Sequence, residues 1–160
     1  MSNGYLLGDF GVEVRGRLKK LIKRPDKLAF GSIVNQGLPF YGGCVTYRFG
    51  VDCPGGDIRL TVPHYDGALT EIFVDGVHAG EIIFPPYELE LKELSAGRHE
   101  IEVKLYTNRR NAFGTVHLYD KKCHCIGPDA WRTSGCQWSY EYVLRNVGVE
   151  SAPVIYSLKK

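Results

Sequence analysis

Apolar and polar residues alternate with a period of two through most of the chain after residue 28. Ile58, Leu60 and Val62 fall on one side of an extended segment, with Asp57, Arg59 and Thr61 on the other. That is the pattern of a half-buried strand. Tyr87, Leu89 and Leu91 repeat it against Glu88, Glu90 and Lys92, and so do Ile101, Val103 and Leu105 against Glu100, Glu102 and Lys104. Residues 69–74 and 77–84 flank Asp75-Gly76, a dipeptide that accepts the positive φ angles of a type I′ turn, so they predict a hairpin. Pro85-Pro86 then predicts a break or an edge position, because proline donates no ladder hydrogen bond. Shorter strand candidates follow at 115–119, 138–144 and 154–158, separated by Gly-, Asn-, Pro- and Arg-rich loops at 107–114 and 126–135. No amphipathic helix is predicted after residue 28. Short strands with hairpin turns between them predict an all-β, antiparallel sandwich or jelly roll over residues 28–160.

Residues 1–27 differ. Val12 and Val14 alternate with Glu13 and Arg15, which suggests a strand, while Leu18, Leu21 and Ile22 also fit one short helical face. Arg15, Arg17, Lys19, Lys20, Lys23, Arg24 and Lys27 face only Glu13 and Asp26, so this stretch carries about +5 and the rest of the chain about −3. Phosphate contacts would exploit such a patch. No aromatic residue lies between Phe10 and Phe30 to stack on bases, and lysines also serve to protect an exposed strand edge. The expectation is a basic strand or connector from a preceding domain, with neither nucleic acid nor membrane as a partner.

Composition adds further limits. A chain of 160 residues fits one domain. Lys plus Arg is 20 against 18 acidic residues, so no strong global field draws the molecule to polyanions. No apolar run approaches the ~20 residues that span a bilayer, and no leader-like segment follows Met1, which makes the cytoplasm the expected compartment. The five cysteines, Cys44, Cys53, Cys123, Cys125 and Cys136, are odd in number and do not form a disulfide framework. Cys123-His124-Cys125 with Cys136 lacks the second close pair that a structural zinc site uses, so no metal and no cofactor is expected.

Three segments are familiar as a set. They are Tyr5-Leu-Leu-Gly-Asp-Phe-Gly-Val12, then Gln36-Gly-Leu-Pro-Phe-Tyr-Gly-Gly43 leading into Val45-Thr-Tyr47, and Ile126-Gly-Pro-Asp-Ala-Trp-Arg-Thr133 with Trp138-Ser-Tyr-Glu-Tyr142. With Val74-Asp-Gly76 and Gly80, they resemble the C-terminal β-sandwich of large multidomain bacterial glycoside hydrolases and their uncharacterised relatives. That domain is similar to the galactose-binding-like jelly roll, used as the sugar-binding domain of glycoside hydrolase family two. In relatives an Asn often follows Tyr-x-Gly; here the position is Cys44, so any ligand role of that amide is altered. The resemblance implies attachment to carbohydrate-active machinery, with the catalytic domain of a parent enzyme as a partner. It supplies no catalytic residue, and the isolated chain is expected not to be an enzyme.

Sugars are bound by apolar surfaces under the ring and by amides, carboxylates and Arg at the hydroxyls. Such residues are expected in loops at one end of the sandwich, where the scaffold leaves side chains free. The candidates are Tyr41 in its Gly-flanked loop, His64, Tyr65 and Asp66 after a strand, Asn108, Arg109 and Asn111 after the long strand, and Trp131 with Arg132. Each also has a scaffold reading: Trp131 as a cap of the sandwich end, Asp129 as a turn residue, and alternating Trp138, Tyr140 and Tyr142 as one core face of a strand. Hydrolysis would need two carboxyl groups across a cleft, about 5–5.5 or 6.5–9.5 Å apart. Asp66, Glu71, Asp129 and Glu141 are available for it, but alternation assigns the other strand acids to solvent faces.

Overall fold

The computed structural model describes residues 4–119, 127, 130, 131 and 133–158. A four-stranded antiparallel sheet runs in the order β3 (Cys44–Cys53), β9 (Gly97–Tyr106), β6 (Leu69–Val74) and β7 (Val77–Ile82). A three-stranded sheet of β11 (Val154–Ser157), β4 (Gly56–Thr61) and β8 (Glu88–Leu94) faces it. Val45, Tyr47, Ile72, Ile101, Val103 and Leu105 from the first sheet and Ile58, Leu60 and Leu91 from the second share one buried cluster. Each fully buried Ile, Leu or Val contributes about 1.5–3 kcal/mol from leaving water. This is the all-β sandwich that the alternation predicts, and β4, β8 and β9 bury the predicted faces.

The hairpin at Asp75-Gly76 forms, with φ of 51° and 79° at its two central residues. Both angles are positive, as a type I′ turn requires, and Gly76 supplies the second at no steric cost. The peptide between Pro85 and Pro86 is cis and ends the β7 side of the connection. Regular helix among the described residues is limited to a 3₁₀ turn, Ile33–Gln36, and one α turn, α1 (Arg110–Phe113); neither could cross a membrane.

One open reading is decided here, and two expected strands fail. The N-terminal segment resolves as a strand pair, β1 (Gly11–Arg15) with β2 (Leu18–Ile22), so the helical alternative for Leu18, Leu21 and Ile22 fails. Residues 115–119 and 138–144 form no strands: a single bridge joins Leu118 to Trp138, and the residues after Trp138 run on without a ladder. The alternation of Trp138, Tyr140 and Tyr142 has another use. Trp138 packs edge-on against Tyr140 at 4.2 Å between centroids, and Tyr142 packs against His117 and Phe40. A short pair, β5 (Tyr65–Asp66) with β10 (Gly148–Val149), closes the arrangement.

Candidate functional site

Strand register decides which loops meet. Cys44 pairs with Tyr106, and Tyr106 pairs with Leu69 on its other side. The loop before β3, the loop after β9 and the residues before β6 therefore converge on one end of the four-stranded sheet. That end carries Tyr41, the 108–111 segment and His64 to Asp66, so register brings three of the four predicted groups together. The loops are tied to one another: Thr107 donates both its N–H and its hydroxyl to the Gly43 carbonyl, at 3.1 and 2.7 Å. A Cβ placed on Gly42 would lie 3.1 Å from Arg109 Cγ, so Arg109 lies against the Tyr41 loop.

The predicted residues at this end do different work. Asn111 is buried, and both ends of its amide are engaged with Arg145: Nδ2 donates to the carbonyl at 2.8 Å and Oδ1 accepts the N–H at 3.0 Å. Asn108 accepts the Arg110 N–H, which starts α1. Tyr65 donates its hydroxyl to the carbonyls of Ile82 and Ile83 and packs edge-on against Tyr87; burial, then the neighbouring Tyr87, pushes its pKa up. Tyr41 donates to the Cys44 carbonyl but leaves 41% of its surface exposed. His64 and Asp66 approach at 4.0 Å in solvent. Trp131 is 53% exposed, while Arg132 and Asp129 lie outside the described residues.

A second concavity was not visible in the sequence. The β1–β2 hairpin docks on the sandwich through Val12 N–H, which donates to Gly37 C=O at 2.8 Å, and through Gly16 C=O, which accepts Tyr142 N–H at 3.3 Å. Its cations hold the C-terminal aromatics. The Arg17 guanidinium lies 4.4 Å from the Tyr140 ring centroid, and Lys19 Nζ donates to the Tyr142 hydroxyl at 3.0 Å while lying over its ring. Arg15 pairs with Glu13, Lys23 with Asp26 and Arg24 with Asp9, so five of the seven basic side chains have intramolecular partners. Between the hairpin, the 3₁₀ turn and residues 141–146 lies an open groove of about 610 Å³. Glu13, Arg15, Asn35, Glu141 and Asn146 line it together with half-buried aliphatic residues. These residues come from three distant stretches, each unremarkable alone.

Two polar clusters lie on the four-stranded sheet and its turn. On the outer face of the larger sheet, Glu71 accepts from Lys104 Nζ at 3.0 Å and from the Tyr106 hydroxyl at 2.9 Å. Those two hydrogen bonds, the Lys104 bond first, hold its carboxyl below the usual range, and hydrogen bonding to Tyr106 and then to Glu71 raises Lys104. Under the Asp75 turn, His99 Nδ1 donates to Asp75 Oδ2 at 2.6 Å, and His99 Nε2 lies 3.0 Å from the Ser95 carbonyl and 3.3 Å from its hydroxyl. In the protonated imidazole both nitrogens donate, and the Ser95, His99 and Asp75 groups clasp the two turns together. The bond to Asp75 raises the His99 pKa, and the same bond lowers that of Asp75.

Among the described residues no group of three His, Cys, Asp or Glu side chains is placed to hold a metal ion. Cys44 and Cys136 are exposed thiols and Cys53 a buried one, whereas Cys123, His124 and Cys125 lie outside the described residues.

No family model and no curated protein matches the chain. Among solved structures it is similar to the rhamnosidase from Novosphingobium sp. PP1Y, with a TM-score of 0.55 at 17% identity over 91% of this chain and 14% of that one. It also aligns with the GH2 beta-galacturonidase from Eisenbergiella tayi, at a TM-score of 0.49 and 19% identity over 94% of this chain and 23% of that one. The beta-D-glucuronidase from Dictyoglomus thermophilum aligns at 0.42 and 15% identity over 92% and 26%. The likeness is one of fold, and the rhamnosidase match carries it. The chain spans between 14 and 26% of the length of these proteins.

Proposed function

We propose that this chain is a non-catalytic accessory β-sandwich of a glycoside hydrolase-like protein, one that holds carbohydrate weakly at its loop-bearing surface. The observation that carries the reading is the coverage of the rhamnosidase match: nearly all of this fold corresponds to a small part of a much longer chain. The galactose-binding-like character implied by the sequence resemblance points the same way.

The chemistry of the carboxylates supports the non-catalytic part. Glu13 and Glu141 line one groove, the single arrangement among the described residues that approaches a carboxylate pair across a cleft. Glycoside hydrolysis needs one carboxyl kept protonated, which enzymes achieve by shelter from water. Here Glu141 is exposed and Glu13 Oε1 is bound by the Arg15 guanidinium at 2.6 Å. Glu71 and Glu81 sit opposite each other on β6 and β7, but on an open sheet face with Lys104 and His78 as partners.

A docking role has its own support. Tyr5, Leu6 and Leu7 expose 58, 68 and 88% of their surface in consecutive positions, with Tyr5 edge-on to Phe113. Consecutive exposed apolar residues mark a contact surface more often than a solvent face.

The test is a glycan array on the full chain, paired with assays on nitrophenyl glycosides. Binding without turnover is the expected result. Nitrophenol release that Glu13→Gln or Glu141→Gln abolishes would overturn the non-catalytic reading, and no binding on the array would leave the docking role alone.

A further inference from the structure

We infer that the groove along the free edge of β1 is the saccharide site, and that it takes a neutral sugar ring in preference to a uronate; this rests on the carbohydrate reading above. The argument begins with backbone direction. Successive peptide groups of a strand point to opposite edges. Val12 N–H is directed to Gly37, away from β2, so by alternation the N–H and C=O of Val14 also turn away from β2 and into the groove. Val14 sits between two tethers, Val12 to Gly37 and Gly16 to Tyr142, which hold the 3₁₀ turn and the C-terminal segment to the ends of β1 on either side of it.

Around that strand edge the side chains are of the kinds that recognise hydroxyls. Asn35 and Asn146 are exposed amides from two adjoining segments, each able to donate and accept. Glu141 contributes acceptors beside the β1–β2 turn, where a Cβ placed on Gly16 would lie 3.2 Å from Glu141 Oε1. Beneath them Val34 and Leu144 are half-buried and offer an aliphatic floor for the C–H face of a ring. The volume of about 610 Å³ falls within the roughly 300–1,000 Å³ of small-ligand sites, and the lining mixes these polar side chains with the aliphatic ones.

Charge sets the preference. Glu13 and Arg15 neutralise each other at 2.6 Å, and the next cations, Arg17 and Lys19, are engaged by the Tyr140 and Tyr142 rings. The charge left over in the groove is that of Glu141. A sugar carboxylate would meet it unscreened by a partner, while neutral hydroxyls gain a charge-assisted hydrogen bond from it. Aromatic stacking is not the device used here, since the Tyr142 ring is already occupied by Lys19, His117 and Phe40.

Amide NMR titrations of the full chain with L-rhamnose, lactose and D-galacturonate test this. The expected shifts fall on Val14, Gly16, Asn35 and Asn146, and they are larger for the two neutral sugars. Glu141→Gln should weaken neutral-sugar binding roughly tenfold, the loss of one bond to a charged group. The same variant should narrow or reverse the bias against galacturonate. Asn146→Ala, at an exposed position, checks that a second wall residue matters. Neutral-sugar shifts that map instead to Tyr41, Asp66 and Arg109 and survive Glu141→Gln would overturn the groove assignment and leave the carbohydrate reading standing. A silent titration with all three sugars at millimolar concentrations would overturn both, and stronger shifts with galacturonate would overturn the stated preference.

Discussion

Asn111→Ala separates scaffold from ligand at the sandwich end. The Asn111 side chain retains 4% of its exposure and bridges both backbone groups of Arg145, at 2.8 and 3.0 Å. Alanine removes two hydrogen bonds of about 0.5–1.5 kcal/mol each and leaves the half-buried Arg145 N–H and C=O without those partners. The two bonds amount to about 1–3 kcal/mol, and the unpaired groups bring the loss to about 2–4 kcal/mol. In a domain of this size that lowers the melting temperature by roughly 5–15 °C, and it should shift the urea midpoint without changing the slope. Asn111→Asp sharpens the test. A carboxylate still accepts the Arg145 N–H but sets an oxygen against the Arg145 carbonyl, so the protonated acid, which can donate, is the form that the fold prefers. Its folded pKa is therefore raised, and the stability deficit of Asn111→Asp should shrink as pH falls through that raised value. Chemical denaturation at pH 7 and pH 4 measures both effects. Asn111→Ala with native stability and lost sugar binding would refute the reasoning and return Asn111 to the ligand set.

The remaining predictions concern the clasp, the strand pair and the hairpin. The raised His99 pKa means that its bond to Asp75 stabilises the fold fully below the ordinary histidine value of 6.5 and is lost as pH rises through the raised one; the lowered Asp75 value makes the acid-side contribution present above 3.8 and lost below the lowered one. Wild type and His99→Gln should therefore differ most between those limits and converge at alkaline pH, and a stability difference that is flat from neutral to alkaline pH would count against the clasp. Gly148→Ala should cost about 2 kcal/mol or more, because φ is +140° and the added Cβ would lie 2.6 Å from the Gly31 carbonyl; a thermal melt reads it directly. Tyr140→Ala with Tyr142→Ala should speed amide exchange across β1 and β2 while leaving the β3–β9 ladder protected, since those rings hold Arg17 and Lys19. Equal loss of protection in both places would mean that the hairpin is not a separate unit.

What the chain's own pattern decided is local. Alternation at 57–62, 87–92 and 100–105 fixed which side chains enter the core, because a strand has a period of two whatever surrounds it. Asp75-Gly76 fixed a turn for a similarly local reason: its backbone angles suit these residues and few others. The same alternation misled at Trp138, Tyr140 and Tyr142, where period two serves an aromatic cluster clasped by two cations and no ladder forms beyond one bridge. Leu18, Leu21 and Ile22 fit two patterns, and pairing with β1 chose between them. The convergence of Tyr41, Asp66 and Arg109 followed from strand register, which depends on partners far along the chain. The groove is the extreme case. Glu13, Asn35 and Glu141 meet only because Val12 bonds to Gly37 and Gly16 to Tyr142, and no period within any of those three segments encodes that meeting.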